Sequence, residues 1–125
     1  MFQHLPSSLF EPVLEAIANG ERKIKTDGLW GASETFLLSH LARQGRSFCL
    51  VAPSYPQAER VYQELCFFLG LCPGPLESHL FPPWDIFPYE PATPRPDLIA
   101  KRLAVLYHLV QTEGACVVPS GEAFF

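Results

Sequence analysis

The stretch "DGLWGASETFLL", residues 27–38, decides how the fold is interpreted, because it has the outline of a phosphate-binding loop. Its glycines follow a candidate strand at residues 24–29, and a helical pattern over residues 33–44 follows them directly. A working loop has the pattern GxxxxGK followed by Ser or Thr. The glycines let backbone N–H groups surround the phosphates, the lysine reaches the β and γ oxygens, and the hydroxyl holds magnesium.

This loop departs from that pattern at two decisive positions. Gly28 and Thr35 match the first glycine and the hydroxyl, and Gly31 lies between them, but Ser33 replaces the second glycine and Glu34 replaces the lysine. A unit charge about 4 Å from a phosphate is worth about 4 kcal/mol at an effective dielectric near 20. Replacing the attractive lysine by a repulsive glutamate therefore makes the free energy of phosphate binding less favourable by several kcal/mol. We expect no ATP, no other cofactor and no metal on this chain; taken alone, the stretch also fits a tight strand-to-helix turn.

The rest of the chain alternates between strand and helix patterns. A short helix with Ser7 or Ser8 as N-cap ends at Gly20, and two longer helices are predicted at residues 56–69 and 97–111. Apolar runs predict strands at residues 47–53, covered on both faces, and 115–119. This order predicts an α/β fold, a three-layer parallel sheet flanked by helices. We divide it into an N-terminal helical segment, residues 1–22, and an α/β domain, residues 23–125.

A proline-rich segment interrupts this alternation after Leu80. Six of the 13 prolines fall within residues 82–96, which predicts a long ordered loop or a marginal edge structure. The segment and its start also carry four aromatic residues, and a mobile linker would lack them. We therefore expect the loop to pack onto the domain through Phe81, Trp84, Phe87 and Tyr89.

The bulk composition excludes several function classes. Nine basic against 13 acidic residues give a net charge of −4, which argues against a domain whose main task is to grip phosphate backbones. The four cysteines match no zinc or redox spacing, and Cys49 and Cys116 lie in apolar runs, where we expect small buried side chains. No membrane span or secretory signal is recognisable, so we predict a cytoplasmic protein.

Two further segments carry a family resemblance that covers roughly residues 5 to 125. "LVAPSYPQAERVYQEL", residues 50–65, resembles the second conserved segment of helicase-type ATPases. "FPPWDIFPYEPATPRPDLIAKRLAVLYHL", residues 81–109, resembles the signature of the N-terminal, UvrB-like module of bacterial transcription-repair coupling factors. The matching positions are Trp84, Asp85, Pro88, Tyr89, Glu90, Thr93, Pro94, Asp97, Arg102, Leu103, Leu106 and Tyr107.

The resemblance implies a P-loop, helicase-like fold whose nucleotide site has degenerated, and hence a chain that is not an enzyme. The parent protein of such a module uses ATP and magnesium in a motor far downstream. It binds DNA, displaces stalled RNA polymerase and recruits UvrA for nucleotide excision repair. The chain would stop before the inserted UvrA-binding domain, and its direct partners would be other domains of the parent. "PSGEAFF", residues 119–125, reads as the beginning of a helix, which also suggests a fragment.

The alternative from the enzyme class is a nucleotide-binding helicase half with an atypical phosphate loop. It would need an acidic pair at a strand end, and no such pair is found in the sequence. A third reading is an unrelated α/β domain.

For the charged residues of the signature we expect structural roles. Asp85, Glu90 and Asp97 should cap helices and turns, and Arg102 should pair with one of these acids and fix the loop to the helix. On the helices, His40 and His108 fit residues at the edge of the core.

Overall fold

A computed structural model describes residues 10–71 and 76–124 of the chain, without the side chain of Leu71. The elements are helix α1 (Glu11–Ala18), helix α2 (Ser33–Arg43), strand β1 (Phe48–Cys49), helix α3 (Tyr55–Leu71), strand β2 (Ser78–Phe81), helix α4 (Pro96–Gln111) and strand β3 (Cys116–Pro119), followed by a 3-10 turn (Gly121–Phe124). The prediction of an α/β fold with a parallel sheet is confirmed. The proposed N-cap, Ser7 or Ser8, lies outside the described residues.

The sheet has three parallel strands in the order β1-β3-β2. β3 lies at the centre, with Cys116 paired to both Phe48 and Ser78, and an isolated bridge from Ala52 to Ser120 extends the β1 side. Because the middle strand comes last in the chain, both outer strands depend on it for their hydrogen bonds.

Successive strand residues point to opposite faces, and the two faces are covered differently. Cys116 and Val118 face α2 and α3, where they join a core with the fully buried Ala58 and Leu65 of α3. Val117 and Pro119 face the other way, toward α4, whose only buried residue is Val105. α4 covers this face incompletely, and an apolar groove of about 490 Å³ lies beside it, lined among others by Phe81, Leu106, Leu109, Val117, Pro119 and Phe124.

Three sequence expectations about the sheet are wrong. Residues 24–29 form no strand, since this polar segment is mostly exposed and pairs with no neighbour. β2 was missed, because "SHLF" has neither alternation nor length to mark it, and pairing with β3 makes it a strand. The run at 47–53 is not covered on both faces: Val51 is 51% exposed and Cys49 is exposed, because α4 lies over β2 and not over β1, whereas Cys116 is buried as expected.

Candidate functional site: the phosphate-loop position and the proline-rich loop

The loop at residues 27–35 leads from an irregular segment through a turn directly into α2. Gly28 and Gly31 have φ of +76° and +59°, values that side chains rarely tolerate, so both glycines are needed for the turn. The amide of Gly28 donates a hydrogen bond to the carboxylate of Asp27, at 2.8 Å. This backbone donor is therefore already engaged by a neighbouring carboxylate.

The side chains after the turn are also committed to structure. The Ser33 hydroxyl donates to the carbonyl of Trp30 at 2.7 Å, while Trp30 itself is 85% exposed. Glu34 is exposed in the first turn of α2, where a negative charge stabilises the positive end of the helix dipole.

Thr35, which matches the magnesium-holding hydroxyl, points away from the loop. Its side chain is buried, and its hydroxyl donates to Glu64 Oε2 of α3 at 2.8 Å. The other oxygen of Glu64, Oε1, lies 3.9 Å from Arg60 on the same helix. The hydroxyl therefore fastens α2 to α3.

The second part of the site is a clamp around Arg102 of α4. The guanidinium carbon lies 4.3 Å from the ring centre of Phe81 and 4.2 Å from that of Trp84, both within the range of cation–π attraction. Its nitrogens donate to the carbonyl of Pro82 at 2.6 Å and to that of Ala123 at 3.3 Å. Burial lowers the pKa of Arg102, although a guanidinium remains charged at neutral pH.

The clamp fixes the start of the proline-rich loop to α4, as expected, but the expected acidic partner for Arg102 is wrong. Backbone carbonyls and aromatic faces receive the guanidinium instead. Within the proline-rich segment and the start of α4, Arg95 binds an acid: it donates to Asp97 Oδ2 at 2.6 Å. This contact and, to a lesser degree, the helix amides lower the pKa of Asp97, so the carboxylate stabilises the first turn of α4 as predicted.

The rest of the signature is not gathered into one site. Phe87 and Tyr89 are 72% and 94% exposed, so the prediction that they pack onto the domain is wrong for both. They lie at a turn in which Glu90 Oε2 accepts the amide of Phe87 at 3.4 Å, a turn-capping role that we expected for Glu90. Asp85 and Pro88 line a shallow pocket with Trp84, Ile86, Phe87 and Glu122, while Pro94 is half-buried.

Sequence reasoning missed one group of side chains altogether. His79 of β2 and His108 of α4 have ring centres 4.3 Å apart with their planes tilted by 53°, and both face the carboxylate of Glu77. His108 is half-buried at the edge of the domain, as predicted. The spacing carried no signal, because the pairing depends on how α4 lies on the sheet, which the sequence pattern leaves open.

Over residues 10–71 and 76–124, the chain forms a small α/β domain with a three-stranded parallel sheet and four α-helices. A scan against protein-family models found no matching family, and a search of curated proteins found no matching relative. Within the described residues, no helix is long and apolar enough to cross a membrane.

Proposed function

We propose that this chain is a non-catalytic scaffold, similar to the N-terminal UvrB-like module of a transcription-repair coupling factor, with a degenerate P-loop. The observation that carries the proposal is that several polar groups of the loop are engaged in contacts within the chain. Thr35 binds Glu64, the Gly28 amide binds Asp27, and Glu34 adds a negative charge where a phosphate would need a positive one. The loop is thereby kept as architecture and not as a nucleotide site.

The clamp around Arg102 supports the same proposal from the signature side. Trp84 and Arg102, two of the residues that carry the family resemblance, contact each other directly. The guanidinium also binds the loop through Pro82 and the terminal turn through Ala123. These signature residues thus hold three segments together, as expected of a scaffold.

The partners that follow from the proposal are other domains of a larger protein. The exposed Phe87 and Tyr89 and the open groove beside α4 supply apolar surface for such contacts. Recognition of DNA, RNA polymerase and UvrA would belong to the parent protein, with ATP and magnesium used in its separate motor.

Calorimetry with Mg-ATP tests the non-catalytic part. We expect no saturable binding, and a dissociation constant at or below about 100 μM, equivalent to about −5.5 kcal/mol, would favour the helicase-half alternative. The double variant Ser33→Gly with Glu34→Lys should restore no hydrolysis, because the acidic pair that such a site needs at a strand end is missing from the sequence. Measurable turnover by that variant would contradict the degenerate-site interpretation.

The family part is tested separately by the coding sequence beyond the codon for Phe125. We expect it to continue into an inserted domain and then into helicase motifs with an intact phosphate loop. A reading frame without any helicase motif would contradict the resemblance while leaving the nucleotide result unaffected.

A further inference from the structure

Glu77, His79 and His108 converge on one point between β2 and α4. Their nearest ligand atoms, one carboxylate oxygen and two imidazole nitrogens, all lie within 4.8 Å of one another. Glu77 Oε2 lies 3.5 Å from His108 Nε2 and 3.9 Å from His79 Nε2. Two of the three residues come from one strand region at alternate positions, so their side chains share the face on which α4 lies.

The nitrogen of His79 has no hydrogen-bond partner within the part of the chain that the structure describes. His79 Nε2 is buried, and the 3.9 Å to Glu77 is too long for a hydrogen bond. A buried polar atom without a partner costs free energy, so such atoms in folded proteins are normally satisfied by a partner, by water or by an ion. Its direction toward Glu77 and His108 makes the centre of the cluster the place for that partner.

We propose that Glu77, His79 and His108 bind a divalent transition-metal cation of the zinc class. Two imidazoles and one carboxylate are ligands that Zn²⁺ accepts in a tetrahedral site. Bonds of about 2.0–2.2 Å at tetrahedral angles set neighbouring ligand atoms about 3.4 Å apart. Separations between 3.5 Å and 4.8 Å therefore require only small side-chain movements to close on a metal.

The surroundings of the cluster also suit a bound cation. Glu77 is largely exposed, which leaves a path from solvent and room for a water as fourth ligand.

The position of the cluster indicates a structural role for the cation. Glu77 directly precedes β2 and His108 lies in the last turn of α4, so the site is at the amino-terminal edge of the parallel sheet. Substrates of open α/β sheets bind at the opposite, carboxyl edge. A cation here would join the C-terminal end of α4 to the sheet, beyond the Arg102 clamp, which lies near the middle of the helix.

The experiment uses the full 125-residue chain, freed of metal with a chelator and titrated with ZnCl₂ by calorimetry at neutral pH. We expect one saturable site, and an unfolding midpoint that rises by several degrees at zinc 100-fold above the dissociation constant. MgCl₂ should produce no such shift, because imidazole ligands do not suit magnesium.

Three variants separate this site from other zinc binding. Glu77→Gln, at an exposed position, and His108→Gln each remove a direct ligand. Losing a residue that only supports a ligand weakens metal binding by about 10- to 100-fold, so each variant should weaken zinc binding by more than that. His40→Gln, on α2, is the matched control and should bind zinc as the parent chain does. Absence of saturable binding, or equal affinity in the parent and His108→Gln chains, would overturn the proposal.

Cobalt substitution distinguishes the histidine site from the exposed thiols of Cys49 and Cys66. Co²⁺ bound by nitrogen and oxygen should show visible d–d bands without thiolate charge-transfer absorption in the near ultraviolet. A charge-transfer band that disappears in the variant Cys49→Ser with Cys66→Ser would assign the metal to cysteine and overturn the proposal.

Discussion

Helices α3 and α4 cover opposite faces of the same sheet but are held in different ways. α3 buries Ala58 and Leu65 completely in the apolar core that it shares with α2 and the strands. α4 buries only Val105, and Leu103, Leu106 and Val110 remain 59%, 46% and 81% exposed. Directional contacts of the Arg102 guanidinium position it instead. One face is therefore stabilised by packing, and the other by a few directional contacts.

Truncating the core of α3 should have the largest effect. Leu65→Ala removes a fully buried side chain and should lower the free energy of unfolding by about 2–5 kcal/mol. Leu103→Ala, on the exposed side of α4, is the matched control and should change it by less than about 0.5 kcal/mol. Urea unfolding followed by circular dichroism measures both. Equal losses would show that the two helices are held alike.

Removing the clamp on α4 should have the next largest effect. Arg102→Ala deletes charge-assisted hydrogen bonds to two carbonyls and should cost about 1.5–3 kcal/mol in urea unfolding. Arg102→Lys keeps the charge but loses the planar group between Phe81 and Trp84, so we expect it to recover only part of the loss. Full recovery by lysine would mean that charge alone fixes α4.

The bond between α2 and α3 should contribute less. Thr35→Val keeps the shape of the side chain but removes the hydrogen bond to Glu64, which should cost about 0.5–1.5 kcal/mol. Ser33→Ala, whose hydroxyl makes only a local bond at the surface, should have a smaller effect in the same assay. A larger loss of stability for Ser33→Ala than for Thr35→Val would mean that the local bond in the loop matters more than the bond between the helices.

The smallest effect should come from Asp97 in acid. The hydrogen bond from Arg95 lowers the pKa of Asp97 in the folded state. The ionised carboxylate therefore contributes its full stabilisation when the pH is above the pKa of the unfolded chain, about 3.9. This stabilisation is lost as the pH falls through the lower pKa of the folded chain. Between pH 6 and pH 2, the midpoint temperature of thermal unfolding should therefore fall slightly less steeply for Asp97→Asn than for the parent chain. A steeper fall for the variant would contradict the shift.

The sequence predicted the helices well because their signals are local. Residues 33–44, 56–69 and 97–111 were expected, and Ser33–Arg43, Tyr55–Leu71 and Pro96–Gln111 are found, since helical periodicity and flanking Gly or Pro act within one element. The strands were harder, because a strand exists only beside a partner. Hence residues 24–29 were wrongly predicted as a strand, and β2 was missed.

For the sites, too, local patterns could be found in the sequence, whereas contacts between distant residues could not. The substitutions at Ser33 and Glu34 could be found in the sequence, because the phosphate-loop pattern is contiguous. The partners of Thr35 and Arg102 could not, since Glu64, Pro82 and Ala123 lie far along the chain and are brought close by helix packing. For the same reason His79 and His108 showed no pattern together.

The shortness of the outer strands has a consequence for encounters between copies of the chain. β1 has two residues, and β2 has four before Pro82 and Pro83 end it. Proline lacks the amide that a further strand would need, and a two-residue edge offers few exposed backbone groups. Strand-by-strand growth into fibrils is therefore discouraged at both borders of the sheet, even though one of its faces is left partly open.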